Sequence, residues 1–128
     1  MEYYNVVELA TVLGITDAAL RQKIRIGEMP STLRNGKMAV STTDFENYLE
    51  ANRCWDFRIP EWSLYRGCKR PIKPQFVKVQ GALEILREYG IEIEQRTLKR
   101  WVQSGQIKAY NLGGTYYIPT EILRKDLS

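Results

Sequence analysis

Few residues in this chain could do covalent chemistry. It has no histidine and two cysteines, Cys54 and Cys68. The thiols make no Cys-x-x-Cys pair and no Cys/His set with zinc-ligand spacing, so neither a metal nor another cofactor is expected. Both are read as free thiols in a reducing compartment. Glu92 and Glu94 could be drawn as a carboxylate pair, but an exposed alternating turn accounts for them more simply. No glycine loop is built to cradle phosphates, so the chain is not expected to be an enzyme. A different chemistry is available to Arg96, Thr97, Lys99, Arg100 and Gln103, which crowd into one short stretch. Arginine and lysine suit phosphates and guanine edges, and glutamine suits adenine.

Such residues need a helix to hold them in one direction. Leu98, Trp101 and Val102 supply its inward face, over a helix from about Glu94 to Ser104 that Gly105 ends. An earlier stretch has the same form. Moving Leu20 by 78 positions lands on Leu98; the same shift carries Ile24 to Val102, Gly27 to Gly105, Met29 to Ile107, Gly36 to Gly114, Val40 to Ile118 and Phe45 to Leu123. One gapless register for all these pairs indicates an internal duplication. The division is residues 1–52, a connector over 53–75, and residues 76–128.

In the first copy Asn5 and Glu8 form a capping box ahead of Val6, Leu9, Val12 and Leu13 at helical spacing. Gly14 ends that helix and Thr16 caps the next, with Asp17 in its first turn. Leu20 and Ile24 face inward, and Arg21, Gln22 and Arg25 fall on other faces, as they would on any amphipathic surface helix. Arg34-Asn35-Gly36-Lys37 reads as a tight type I′ hairpin. Its basic flanks either reach a phosphate backbone or only keep the hairpin soluble. Thr43 and Glu46 make a second capping box before Phe45, Tyr48 and Leu49.

The second copy repeats this with Ala82, Leu83, Ile85, Leu86 and Tyr89 in its first helix, ended by Gly90. The piece Ile91–Glu94 makes its turn two residues longer. Its hairpin turns at Gly113-Gly114, carries Thr115 where the first has Lys37, and leads to Thr120 as the cap of a last helix. Lys23 stands where the second copy has Trp101. The connector holds Trp55, Phe57, Trp62 and Tyr65, expected to pack on the modules, and then Arg66, Lys69, Arg70 and Lys73 beside Pro71 and Pro74. That basic part is either a solvated spacer or an arm along a polyanion.

Arg96-Thr97-Leu98-Lys99-Arg100-Trp101-Val102-Gln103-Ser104-Gly105, then Gly113-Gly114, then Tyr117-Ile118-Pro119, resembles the winged helix-turn-helix of the excisionase and MerR-like superfamily. The first copy resembles it through Glu8-Leu9-Ala10, Leu13-Gly14-Ile15-Thr16 and Gly27. The resemblance implies a mainly α fold with small β-hairpin wings, as tandem winged helix-turn-helix modules. It implies that Ala18, Ala19, Arg21, Gln22 and Arg25, with Arg34 and Lys37, and likewise Arg96, Thr97, Lys99, Arg100 and Gln103, with Thr115, contact double-stranded DNA. The functional expectation is a sequence-specific DNA-binding protein: an excisionase-like architectural factor or a transcriptional regulator of a phage or mobile element, self-associating on DNA. The alternative is a protein-binding module that uses an exposed Trp55 or Trp62 against a protein partner.

Charge agrees with a polyanionic partner. The net is +4, from 19 basic and 15 acidic residues. Residues 1–52 carry five basic and seven acidic, residues 53–75 six and two, and residues 76–128 eight and six. The positive excess therefore lies in the middle and the second half. No apolar run approaches the roughly 18 residues of a membrane span, and Met1–Asn5 has no basic region before an apolar stretch. The expected location is the cytoplasm, on DNA, away from membranes.

Overall fold

A computed structural model describes residues 3–55 and 74–128. The chain divides into two compact units. The first runs β1 (Tyr3–Asn5), α1 (Val6–Leu13), α2 (Asp17–Arg25), β2 (Thr32–Arg34), β3 (Lys37–Ser41) and α3 (Thr42–Ala51). Its sheet is antiparallel, in the order β1-β3-β2.

Local chemistry fixes each boundary. The Asn5 side chain accepts from the Glu8 backbone at 2.8 Å, and the Glu8 carboxylate accepts from the Asn5 backbone at 3.1 Å. This reciprocal box satisfies two otherwise orphaned donors of α1. Gly14 takes a left-handed conformation (φ 72°) and closes the helix. Thr16 then accepts from the Ala19 backbone, so α2 begins at once. Leu9, Val12 and Leu13 of α1, Leu20 and Ile24 of α2, and Phe45 and Leu49 of α3 are buried. Tyr4 meets Phe45 edge to face at 5.8 Å. Asn35 (φ 52°) and Gly36 (φ 76°) are both left-handed, as a type I′ turn demands. The last helix starts earlier than expected: Ser41, not Thr43, caps α3, accepting from the Asp44 backbone at 3.0 Å.

The second unit has β4 (Phe76–Val77), α4 (Val79–Glu88), α5 (Gln95–Gln103), β5 (Tyr110–Leu112), β6 (Thr115–Pro119) and α6 (Thr120–Leu127). Its sheet order, β4-β6-β5, repeats that of the first unit. Leu83 and Leu86 of α4, Leu98 and Val102 of α5, Ile118 of β6 and Leu123 of α6 form one core. Ion pairs at 2.8 Å join Arg124 to Glu88 and Lys108 to Asp126. Thr120 does not cap α6. Its hydroxyl donates to the Gln75 carbonyl at 3.3 Å, and Pro119 stands at the cap position.

Residues 52–55 belong to this second unit and run antiparallel along β5. The Asn111 backbone donates to the Asn52 carbonyl at 2.9 Å, and the Cys54 backbone donates to the Ala109 carbonyl at 3.0 Å. Trp55 packs on Tyr110 at 5.1 Å between ring centroids, with Phe76 on Tyr110 at 6.0 Å. Trp55 is thus a buried core residue, not an exposed anchor.

The architecture corrects one expectation. Tandem winged helix-turn-helix modules, mainly α with hairpin wings, are not what the described residues form. They make six helices and two three-stranded antiparallel sheets, about half helix and a fifth strand, an α+β fold. The difference comes from β1 and β4. Each is too short to show an alternating pattern, and each pairs with a strand some forty positions away in sequence, as Tyr3 does with Ser41 and Phe76 with Pro119. Among the described residues, no helix is long and apolar enough to cross a membrane.

Candidate functional site

The outward face of α5 carries the densest cluster of cationic side chains on any described helix. Leu98 and Val102 are fully buried and Trp101 packs partly against the same core. At about 100° per residue, Arg96, Lys99, Arg100 and Gln103 then fall within an arc of about 100° on the opposite side. All four are exposed, while Thr97 is half-buried at the margin. Together with Gln95 they line a shallow groove. No acidic residue occurs within α5. Arg96 has one ionic neighbour, Glu94 at 3.6 Å, and both side chains are about four-fifths exposed. Water screens such a pair, so Arg96 keeps most of its charge for another anion. Lys99 and Arg100 make no ion pair among the described residues. At the start of α5, Glu94 stands at the cap position without a side-chain capping bond, so the first-turn amides are free of it.

The corresponding face of α2 is weaker. Ala18, Arg21, Gln22 and Arg25 occupy the places of Arg96, Lys99, Arg100 and Gln103, and all are exposed, as is Ala19. Two cations replace three. Gln22 accepts a hydrogen bond from Arg25 at 3.1 Å, so these side chains engage each other. Thr16 accepts from one first-turn amide, that of Ala19, and Asp17 adds a negative charge there, which disfavours an anion at that end. Lys23 lies partly buried and pairs with Glu28 at 3.3 Å. The polar partner lets a lysine occupy a position where the second unit has Trp101.

The hairpins differ in the same sense. Arg34 and Lys37 flank the Asn35-Gly36 turn and are exposed. The Arg34 guanidinium lies over the Tyr3 ring, 4.1 Å from its centroid. Lys37 and Arg21 line one groove with Asn5, Val7 and Met38, so the hairpin and α2 face a common space. Thr115 is exposed but uncharged, beside a turn held by the Gly114 backbone donating to Asn111 at 3.0 Å.

Sequence reasoning missed Gln95, although its place directly after Glu94 at the helix start was a usable signal. It also missed Asn5, Val7 and Met38, which only tertiary folding brings beside Arg21. Phe57, Trp62, Tyr65, Arg66, Cys68, Lys69, Arg70 and Lys73 lie outside the described residues. Cys54 is a free, half-buried thiol. Burial pushes its pKa up, and a hydrogen bond with the Asn111 backbone opposes this. Among the described residues, no group of acidic, cysteine or histidine side chains is placed to hold a metal ion.

Comparison with family models, with curated proteins and with solved structures found no match to this chain.

Proposed function

We propose that this protein binds double-stranded DNA at specific sites, with the outward face of α5 in the major groove. The observation that supports this reading is the single arc of Arg96, Lys99, Arg100 and Gln103 on α5, opposite a buried Leu98 and Val102. A major groove about 12 Å wide admits a helix, and forked donors discriminate bases there. In this reading Arg100 and Lys99 read guanine edges, Gln103 reads adenine, and Arg96 with the free first-turn amides holds a phosphate. The first unit adds a weaker contact through Arg21, Arg25 and the Arg34 and Lys37 hairpin. Residues 1–52, which hold these side chains, carry five basic against seven acidic residues, and this suits a supporting role.

Such a protein would serve as an architectural factor or a transcriptional regulator, located with DNA in the cytoplasm. The motif resemblance favours a phage or mobile element. The competing protein-binding reading loses Trp55 as its anchor, since that ring is buried.

Substitution at one base-reading position tests the proposal. Arg100→Ala is expected to cost about 1–3 kcal/mol on a selected site and to relax preference at one base pair. If affinity and base preference both stay unchanged, α5 is not the reader.

A further inference from the structure

Among the described residues, the two sheets share one strand order and differ at the outer edge of the hairpin. In the second unit the outer side of β5 is occupied, because residues 52–55 run along it and the Asn111 backbone donates to Asn52. The equivalent edge in the first unit is β2. Register identifies the matching residue: Asn111 pairs with Tyr116, and Leu33 pairs with Met38. In both hairpins the residues flanking the two-residue turn form the hydrogen-bonded pair, so the next pair turns its backbone groups away from the central strand. The Asn111 bond displays this. Leu33 therefore directs its N–H and C=O outward too, and among the described residues nothing pairs with them. All three residues of β2 are exposed, and the Leu33 side chain is 72% exposed, the most of any large hydrophobic residue described.

We propose that β2 is a self-association edge, and that two copies of this chain join there as an antiparallel pair centred on Leu33. The strand is self-complementary in that register. Each Leu33 exchanges two main-chain hydrogen bonds with its counterpart, and the two leucine side chains cover one another. Each Arg34 falls opposite the other copy's Thr32, so no like charges are opposed. The pairing is two-fold and closes on itself, so it makes a dimer and not a fibre. A three-residue edge gives a small contact, which makes the dimer weak and concentration-dependent. The proposal does not rest on DNA binding. If both hold, each dimer carries two copies of α5.

The test uses the full chain without DNA. Sedimentation up to about 1 mM protein measures association, and amide exchange at Leu33 locates it. The expected result is a monomer–dimer equilibrium in which Leu33 exchange slows as dimer forms. Leu33→Pro removes the outward donor without removing an intrachain bond, and Leu33→Lys places like charges together. Both are expected to abolish the dimer. A circular dichroism spectrum like that of the parent shows that loss of dimer is not loss of fold. A monomer at every concentration with fast Leu33 exchange overturns the proposal. So does association that survives both substitutions in folded protein. Leu33 protection already complete in dilute monomer also overturns it, since the chain itself would then cover the edge.

Discussion

At the scale of single residues, charge on α5 and burial of Cys54 lead to separate consequences. Glu94 lies 3.6 Å from Arg96 and is exposed. Its carboxylate competes weakly with any phosphate for that guanidinium. Glu94→Gln is expected to strengthen DNA binding by about 0.2–1 kcal/mol, the size of an exposed pair, measured by titration at low salt. Cys54 behaves in the opposite direction from an activated thiol. Burial raises its pKa above the ordinary 9.0, so less thiolate is present at a given pH. Alkylation of Cys54 near pH 8, followed by site-resolved mass spectrometry, is expected to be slower than that of a thiol in unfolded chain. The linkage has a definite sign: a raised thiol pKa stabilises the fold below 9.0, and this contribution is lost as pH rises through the folded value.

At the scale of elements, packing around α4 and α5 makes two substitutions informative. Gly81 lies within α4, where alanine ordinarily favours a helix by about 1 kcal/mol. Here a Cβ would sit 2.9 Å from the Val77 Cβ on β4. That atom is fixed close to the strand backbone, so the strand must move. Gly81→Ala is expected to lower the melting temperature, despite alanine's better propensity, and to increase exchange at Phe76 and Val77. Leu98 is fully buried beneath the face that carries Arg100. Leu98→Ala is expected to cost about 2–5 kcal/mol of stability in chemical denaturation, with DNA affinity falling where the second unit unfolds.

Signals confined to a few neighbouring residues were legible in the sequence. The Asn5–Glu8 box, the Gly14 stop, the Thr16 cap and the Asn35-Gly36 turn all depend on contacts within about four positions. The face of α5 was legible too, because helical period alone separates Leu98 and Val102 from Arg96, Lys99, Arg100 and Gln103. The strands β1 and β4 were not, because their partners are remote and their length gives no period. The same holds for Trp55, whose burial depends on pairing between residues 52–55 and β5. Missing these strands led to an expectation of hairpin wings where each unit has a three-stranded sheet. Caps at Thr43 and Thr120 failed for a smaller reason: α3 starts at Thr42, which puts Ser41 at the cap position and Thr43 inside the helix, and the Gln75 carbonyl captured the Thr120 hydroxyl.

At the scale of the whole molecule, the two units share an element order but differ in surface chemistry. The second has an unbroken cationic helix face; the first has a sparser one and, among the described residues, nothing paired with its β2 edge. This division predicts unequal effects on the salt dependence of DNA binding. Removing Arg96 is expected to reduce the slope of log affinity against log salt by about one. Removing Arg21 is expected to change it less. Sequence reading through α5 is tested by selecting bound fragments from random genomic DNA and sequencing them, across about 50 to 200 mM salt. One enriched motif is expected, retained more weakly as salt rises and altered at one position by Arg100→Ala. No retention even at the lowest salt, or salt-sensitive retention without any motif, would contradict it.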